Sequence, residues 1–351
     1  MIAPRGLRRS GVGSSIAGVA LFTGAAAWAG VTAAAAHSSS VPIAGSILVG
    51  GMTIAICWWF AARWPLVVPA ALVAASVAIV VADVEGTFSS GPLQGPFGYA
   101  NATAAFFAQS IVAALMLVAG TRTQVVRLLA IVASLLFAAT VVVSSSWTVA
   151  VVLPVVVGAS LVSKRVRDGR AAVLVSGMLF VAILLATVVL GARGVQDGPI
   201  DRAVGATLSD ERITLWHEAL AIAADEPFLG VGPGGFASTS PTASADRDLR
   251  WAHHEFLQAG AETGLIGFAL AVGLFLWGFV ALWQGSPTGI TVLAAASLAL
   301  LGIHASVDYV LHFVPVTVAG AALLGAGLGA QPSEAGTSAA EVAVLPVREE
   351  V

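Results

Sequence analysis

The sequence predicts an all-α polytopic membrane protein with about ten transmembrane helices and a large, partly helical extracytoplasmic loop. The first observation is composition: of 351 residues, 58% are hydrophobic and 10% are charged, and the mean hydropathy is +0.94. Soluble domains average roughly 45–50% apolar and about 25% charged residues. A water-soluble protein of this size could not hide that much apolar surface, because its exterior still needs solvating groups. Lipid is therefore the expected solvent.

The second observation is a series of apolar segments, each near the roughly 20 residues that a spanning helix requires. The segments at 65–82 and 147–162 are short, and either one also fits an element that crosses half of the membrane. The first segment also fits a signal peptide, because Arg8 and Arg9 precede its apolar core, but its length favours a retained helix. The ten segments are 16–36, 43–62, 65–82, 102–120, 126–145, 147–162, 171–191, 262–283, 288–308 and 312–330.

The third observation is the distribution of basic residues, which favour cytoplasmic loops. With the N-terminus inside, the short outer loops carry no Lys or Arg, and the five other basic residues all lie between 192 and 261, in a loop long enough to be exempt from the rule. The sequence therefore predicts cytoplasmic N- and C-termini. The basic residues assigned to the inside are Arg5, Arg8, Arg9, Arg63, Arg122, Arg127, Lys164, Arg165, Arg167, Arg170 and Arg348.

These boundaries divide the chain into four parts. Residues 1–191 form an N-terminal transmembrane bundle of about seven helices, and residues 192–261 form the extracytoplasmic loop that is expected to carry the chemistry. Residues 262–330 supply about three further helices. Residues 331–351 are polar and contain Pro and Ser, which predicts a disordered cytoplasmic tail.

The charge balance and the cysteine count exclude several classes of protein. A net charge of −3 with only 16 basic residues argues against a nucleic-acid partner, which would require a concentrated basic face. Cys57 is the only cysteine, so the chain forms no internal disulfide and no cysteine-rich metal cluster. We expect neither a metal nor a cofactor.

The loop is predicted to contain one helix, with Ser209 as N-cap and with Asp210 and Glu211 in the first turn, where carboxylates stabilise a helix. It should end near Asp225, before Pro227. Two interpretations remain open: a helix lying in a groove at membrane level, or an ordinary amphipathic surface helix with an interfacial tryptophan. The residues that share one face of it are Arg212, Trp216, Ala219 and Ala223.

A glycine-rich run follows, from Phe228 to Phe236. Gly230, Gly232 and Gly235 formally match the dinucleotide fingerprint G-x-G-x-x-G. That fingerprint requires a preceding strand and a following helix, whereas a helix precedes this run and a Ser/Thr-rich loop follows it, so the nucleotide interpretation is rejected. The run is either a tight turn whose backbone N–H groups approach an anion or a plain hinge.

Two adjacent histidines, His253 and His254, lie with Glu255 at the start of a transmembrane segment. They put a titratable base at the level of lipid head groups. On a helix the two side chains would point apart, so a zinc site, which needs three protein ligands, would require His304 or His312 to fold in.

Two further polar places lie at the predicted outer face. One is the Gly/Pro-broken run from Gly91 to Asn101, and such backbone is tolerated near lipid only where protein covers it or a cavity adjoins it. The other is His304, Asp308 and His312, which would share one side of a helical stretch. Ionisable residues at the membrane indicate a functional site.

Together, these motifs resemble the O-antigen ligase and polymerase family, which are bacterial membrane glycosyltransferases that use undecaprenyl-diphosphate-linked glycans. The family's loop signature is a His, then Asn, Ser or Gln, then nine residues and a Gly. His253 and Gly264 keep that spacing. His254 occupies the second position, a departure that leaves both histidines as candidates. The runs 95–101 and 304–315 also resemble family blocks, so the resemblance covers about 90 to 330, in a chain with fewer helices than the usual twelve.

The resemblance implies a catalytic set of His253, Arg212 and His254. Arg212 matches the family's loop arginine and would bind the donor's phosphates, for which guanidinium is suited, with Arg250 as a weaker candidate. His253 would act as base on an acceptor hydroxyl, and Glu262 or Asp308 would orient a histidine or contact sugar hydroxyls. The candidate substrate-binding residues are Trp216, Arg250, Glu262, Gly232, Gly235, Asn101, His304 and Asp308.

The implied partners are an undecaprenyl-diphosphate-linked oligosaccharide donor, a glycan or lipid acceptor and the bilayer of the cytoplasmic (inner) membrane. Ligase and polymerase remain open, because both need the same donor site. The alternative from a different class is a solute transporter of the same family. A transporter places ionisable residues and broken helices near the bilayer midplane, whereas the predicted helix centres here are almost free of charge, which favours an enzyme.

Overall fold

The structure is a computed structural model that describes residues 9–88, 95–166, 168–196, 208–285 and 287–331. These residues form fourteen α-helices and two short 3-10 turns, with no strand, which confirms the all-α class. The first eight helices are α1 Arg9–Ala35, α2 Val41–Ala61, α3 Val67–Ala82, α4 Val84–Thr87, α5 Ala100–Gly120, α6 Gln124–Val143, α7 Trp147–Val166 and α8 Gly169–Arg193. The other six are α9 Asp210–Asp225, α10 Phe236–Thr239, α11 Pro241–Ala245, α12 Glu255–Gln284, α13 Gly289–Ala305 and α14 Val314–Gly329.

Six of these helices are long and apolar enough to cross a membrane: α1 from Ser14, α2, α5, α6, α8 and α12. Four apolar helices are shorter, namely α3, the part of α7 from Thr148 to Gly158, α13 and α14. Each of the ten predicted segments coincides with one of these ten helices. The multi-pass membrane class is therefore confirmed, while the crossing of all ten segments stays a prediction.

Two predicted regions fall partly or wholly outside the described residues. Of the loop 192–261, residues 197–207 are outside them, and of the predicted tail only Gln331 is inside. The loop helix runs from Asp210 to Asp225 after an N-cap at Ser209, as predicted. The first C-terminal helix begins at Glu255 instead of 262, because His254 caps it and the following residues continue the apolar helix.

Helix α5 is the centre of the bundle, with 83% of its apolar window buried. Polar side chains connect it to its neighbours. The Gln109 amide donates to the Ser297 carbonyl of α13 at 3.3 Å, and Ser110 shares a hydrogen bond of 2.7 Å with Ser76 of α3. In lipid, such contacts between helices and close packing of small residues replace the hydrophobic driving force.

Helix α1 packs against α12, the helix that follows the histidine pair. The Trp277 indole donates to the Ser14 carbonyl at 2.8 Å, and the Trp28 indole donates to the Thr263 carbonyl at 2.8 Å. Phe22 and Trp277 meet edge to face. The segment that also fitted a signal peptide therefore packs within the bundle and forms one wall of the cleft described below.

Candidate active site

Asp308 is the centre of the polar site, in the turn just after α13. Its carboxylate is 1% exposed and lies 2.9 Å from His253 Nδ1 and 3.4 Å from Arg212 Nη2. Asp308 thus connects His253, at the end of the loop, to Arg212, on the loop helix. The carboxylate also accepts hydrogen bonds from Tyr99 Oη at 2.7 Å, from the Asn101 amide and from the Tyr309 N–H at 2.8 Å.

This donor set keeps Asp308 ionised. Burial alone would raise its pKa, but the hydrogen bond from His253 and the charge of Arg212 hold that pKa well below its usual range. The pKa of Tyr99 is raised, first by burial and then by the adjacent carboxylate, so Tyr99 remains a donor. A buried charge with this many donors is a stable, fixed anion.

Arg212 lies in the first turns of α9 and makes two contacts with the turn after α13. Nη1 donates to the Val307 carbonyl at 3.0 Å and Nη2 to Asp308. About one-fifth of the side chain, 21%, stays exposed, so Arg212 remains accessible from outside the protein. One turn along the same face, Trp216 is fully buried and donates from Nε1 to the His253 carbonyl at 3.1 Å. The interpretation of Trp216 as an interfacial residue was wrong, because its indole packs inside the site.

His253 does not lie on a helix, contrary to the prediction for the pair. It has a φ of 51°, in the left-handed region, which costs free energy in a non-glycine residue and is concentrated at functional sites. Its Nδ1–H donates to Asp308, and its ring packs edge to face on Tyr309. Because the carboxylate fixes that tautomer, the lone pair of Nε2 is left as a base.

His254 has a structural position. Its ring is 0% exposed, and Nδ1 accepts from the Leu257 N–H at 3.2 Å, which caps α12. Nε2–H then donates to Thr187 Oγ1 at 3.0 Å on α8. Burial lowers the pKa of His254 to about 3, so the ring is neutral near pH 7. With both nitrogens in use, only His253 of the pair has a nitrogen left for a substrate.

The glycine-rich run docks on the part of α12 that carries Glu262. The backbone N–H groups of Gly234 and Phe236 lie near the Glu262 carboxyl group, which accepts a hydrogen bond from the Gln258 amide at 3.2 Å. The N–H of Gly232 donates to the Glu262 carbonyl at 2.9 Å, and the N–H of Gly235 donates to the Gly232 carbonyl. The run is therefore a turn that clamps Glu262.

Helix α12 is interrupted at Gly264 to receive this turn. Gly264 has φ 71° and ψ −178°, a conformation that is essentially restricted to glycine. The break frees the carbonyls of Ala261 and Glu262, which accept from Val231 and Gly232. The spacing between His253 and Gly264 in the sequence therefore sets the position of the base relative to the helix break where the turn docks.

The residues His304, Asp308 and His312 do not share one side of a helix, because α13 ends at Ala305. The Asp308 carboxylate contacts His253, whereas His312 Nδ1 lies 3.2 Å from Glu255 Oε1. His304 is 1% exposed, and neither of its ring nitrogens has a hydrogen-bond partner among the described residues.

Three other predicted site residues have different positions. Asn101 joins the Asp308 cluster. Arg250 is exposed and lies over the Trp251 ring, 5.9 Å from its centroid, and the structure does not bring it to Asp308. Glu262 contacts neither histidine of the pair by a hydrogen bond. In the described part of the chain, no group of three or more His, Cys, Asp or Glu side chains is arranged as a metal site.

Four residues that the structure places in or beside the site were not among the predicted site residues. Tyr99 and Tyr309 hold Asp308, Gln258 connects the Ala252 N–H to Glu262, and Glu255 pairs with His312. Tyr99 lay in the Gly/Pro-broken run, two residues from Asn101, and that run was the available signal. Nothing local in the sequence indicates the pairing of Glu255 with His312, which are 57 residues apart.

A cleft of about 420 Å³ lies beside the site. Its walls come from α1, α2, α12, α13 and α14 and are mostly apolar, and its polar end holds Trp251, Glu255, His312 and Glu262. The apolar wall includes Phe22, Ile47, Ile54, Phe256, Leu274 and Leu324.

Residues 104–272 match the family model described as O-antigen ligase, Wzy_C. The matched part contains Arg212, the glycine-rich run, His253 and Gly264, whereas Asn101 and Asp308 lie outside it. The resemblance on which the site was predicted is thereby confirmed. No curated protein matches the chain.

Proposed function

The chain carries an O-antigen ligase domain over residues 104–272, and on this premise we propose that it transfers a glycan from an undecaprenyl-diphosphate donor to a sugar hydroxyl at the outer face of the cytoplasmic membrane. Glycan transfer of the O-antigen ligase type follows from the domain in general. The observation that carries the specific mechanism is the hydrogen bond between His253 and Asp308, with Arg212 on the same carboxylate.

The acceptor is activated by His253. Nε2 takes the proton of the acceptor hydroxyl while the hydroxyl oxygen forms a bond to the anomeric carbon. Asp308 holds the ring in the required tautomer and stabilises the imidazolium that forms. A single displacement of this kind inverts the anomeric configuration.

The leaving group is the lipid diphosphate. The bond between the anomeric carbon and the phosphate oxygen breaks, and the electron pair stays on that oxygen. The exposed part of Arg212 is suited to neutralise the developing charge, because guanidinium is permanently charged and donates in a plane. In this mechanism the arginine supplies the charge stabilisation, so transfer needs no divalent metal.

The donor's hydrocarbon is proposed to lie in the apolar cleft. The cleft is between membrane helices, and its polar end is next to the loop, so a polyprenyl chain placed there would present its diphosphate at the level of the loop. Because the chain of a membrane lipid is already surrounded by hydrocarbon, the cleft would bind it through close packing and shape rather than through removal of apolar surface from water. An apolar cleft with a polar end is expected where a lipid substrate enters sideways from the bilayer.

The position of the charged groups supports an enzyme more than a transporter. Arg212 lies in the first turn of a loop helix, His253 precedes α12 and Asp308 follows α13. All three are at helix ends, whereas a transporter places its ionisable residues near the bilayer midplane. We also propose that both termini are cytoplasmic and that the loop faces outward, because Lys and Arg favour cytoplasmic loops and the short outer loops carry none.

The experiment is glycan transfer in proteoliposomes, with a lipid-diphosphate oligosaccharide from the native host, with and without EDTA. We expect transfer that survives EDTA, inverts the anomeric configuration and is lost in His253→Ala and Arg212→Ala proteins that remain folded. A retained configuration would contradict the single displacement. If folded wild-type protein consumed no lipid-linked glycan, the proposed function would be wrong.

A further inference from the structure

The structure contains a second pair of a carboxylate and a histidine, separate from Asp308 and His253. Glu255, the first residue of α12, accepts from the Leu311 N–H at 2.7 Å and from His312 Nδ1 at 3.2 Å through the same oxygen, Oε1. Glu255 and His312 both line the polar end of the apolar cleft. One-third of the His312 side chain, 33%, is exposed.

Aromatic rings separate the two pairs. The ring of Tyr309 contacts both histidines, with its centroid 4.8 Å from that of His253 and 5.9 Å from that of His312. The ring of Trp251 lies 4.3 Å from that of His312. The two histidines are therefore held against one tyrosine, with His253 on the Arg212 side and His312 on the cleft side.

The surroundings of the two carboxylates differ in charge. Asp308 has Arg212 beside it, so its negative charge is already compensated when His253 is neutral. Glu255 has no arginine or lysine within 4.0 Å among the described residues, and its charged partner is His312. The other acidic side chain at this end, Glu262, accepts a hydrogen bond from the Gln258 amide. Because Nδ1 of His312 is on Glu255, Nε2 is left as the donor of this partly exposed ring, and it has no hydrogen-bond partner among the described residues.

We propose that His312, positioned by Glu255, is a phosphate-binding group that receives the diphosphate of a lipid whose chain occupies the cleft. This inference rests on the proposed function and adds a donor-side residue to it. His312 binds the head group and does not take the acceptor proton, which is the task of His253. An imidazolium N–H gives a charge-assisted hydrogen bond to a phosphate oxygen. His312 offers this group at the end of the cleft where the apolar wall gives way to polar side chains.

The test measures binding of sugar-free undecaprenyl diphosphate to the full chain in phosphatidylcholine nanodiscs, which requires no transfer. His312→Gln is expected to raise the Kd about tenfold, the effect of one charge-assisted hydrogen bond, and Glu255→Gln is expected to raise it less. His217→Gln is the control, since His217 is exposed on α9 and its ring contacts the Gly191 carbonyl on α8. In the transfer assay, His312→Gln should raise KM for the donor and leave kcat and KM for the acceptor unchanged.

An unchanged Kd in folded His312→Gln protein would overturn the inference. So would a loss of kcat with unchanged Kd, since His312 would then act as a base. If His312→Gln fails to fold, Glu255→Gln decides, because it keeps the imidazole and removes only its carboxylate. Wild-type protein that transfers glycan while both variants bind normally would refute this inference alone, whereas wild-type protein that neither binds nor transfers would refute the proposed function too.

Discussion

The Oδ1 atom of Asp308 lies 2.9 Å from Nδ1 of His253, across 55 residues of sequence that include α12 and α13. Neither residue is on a helix: one precedes α12 and the other follows α13. The pair is therefore fixed by the packing of these two helices and by the turn that docks at Gly264. Arg212, His254 and Gly264 support this pair and are the subject of the first four predictions, and the last prediction concerns the pair itself.

Arg212→Lys is predicted to lower transfer by roughly 10- to 100-fold. Arg212 reaches the Val307 carbonyl and Asp308 with two different nitrogens, and one ammonium cannot reproduce that planar geometry. The measurement is kcat/KM in proteoliposomes, beside Arg247→Lys on the exposed face of the loop. Equal activities of Arg212→Lys and wild type would show that only the charge matters.

His254→Asn is predicted to fold and to transfer within a few-fold of wild type. Asn is a strong N-cap, and its side-chain oxygen replaces Nδ1 as the acceptor of the Leu257 N–H. A large loss of kcat in this variant, with normal folding, would instead make His254 the base.

The same variant is predicted to be less sensitive to acid. The pKa of His254 is about 3 in the folded protein and about 6.5 when unfolded. Between these values the unfolded state binds a proton that the native state does not. Wild-type stability therefore falls as the pH drops below about 6.5, by at most about 1.4 kcal/mol per pH unit. Thermal unfolding midpoints at pH 7.5 and pH 5 should differ less for His254→Asn than for wild type, and parallel shifts would contradict the assignment.

Gly264→Ala is predicted to destabilise the protein by at least about 1–3 kcal/mol, the cost of a backbone conformation that is almost restricted to glycine. The added methyl group would also overlap the Phe228 carbonyl. The measurement is the thermal unfolding midpoint. Gly158→Ala is the control, because among the described residues its added methyl meets no atom within 4 Å beyond the backbone of its own helix. Wild-type stability in Gly264→Ala would show that the turn does not depend on this break.

Much of the fold could be predicted from the sequence. Apolar length located ten helices, because a spanning segment has to be long and apolar whatever its neighbours are. Ser209, with acidic residues after it, located the start of the loop helix for a similarly local reason.

The site could be predicted only in part. Arg212 and His253 were identified through the family resemblance, and Asp308 was one of two acidic residues expected to orient a histidine or to contact sugar. Its role depends on where α13 ends, and the end at Ala305 was not visible in an apolar segment that continues to 308. The contact between the glycine-rich turn and Glu262 was also not predictable, because it depends on the helix break at Gly264.

The most direct test of the central claim is a double-mutant cycle on His253 and Asp308, measured as the transfer rate at saturating donor. If Asp308 acts through His253, then Asp308→Asn should lower the rate by about 10²–10⁴-fold, the typical contribution of general base catalysis. His253→Gln should lower it at least as much, and the double variant should be no slower than His253→Gln alone. Losses that multiply in the double variant, with all three proteins folded, would show that the two residues act independently and would contradict the proposed pair.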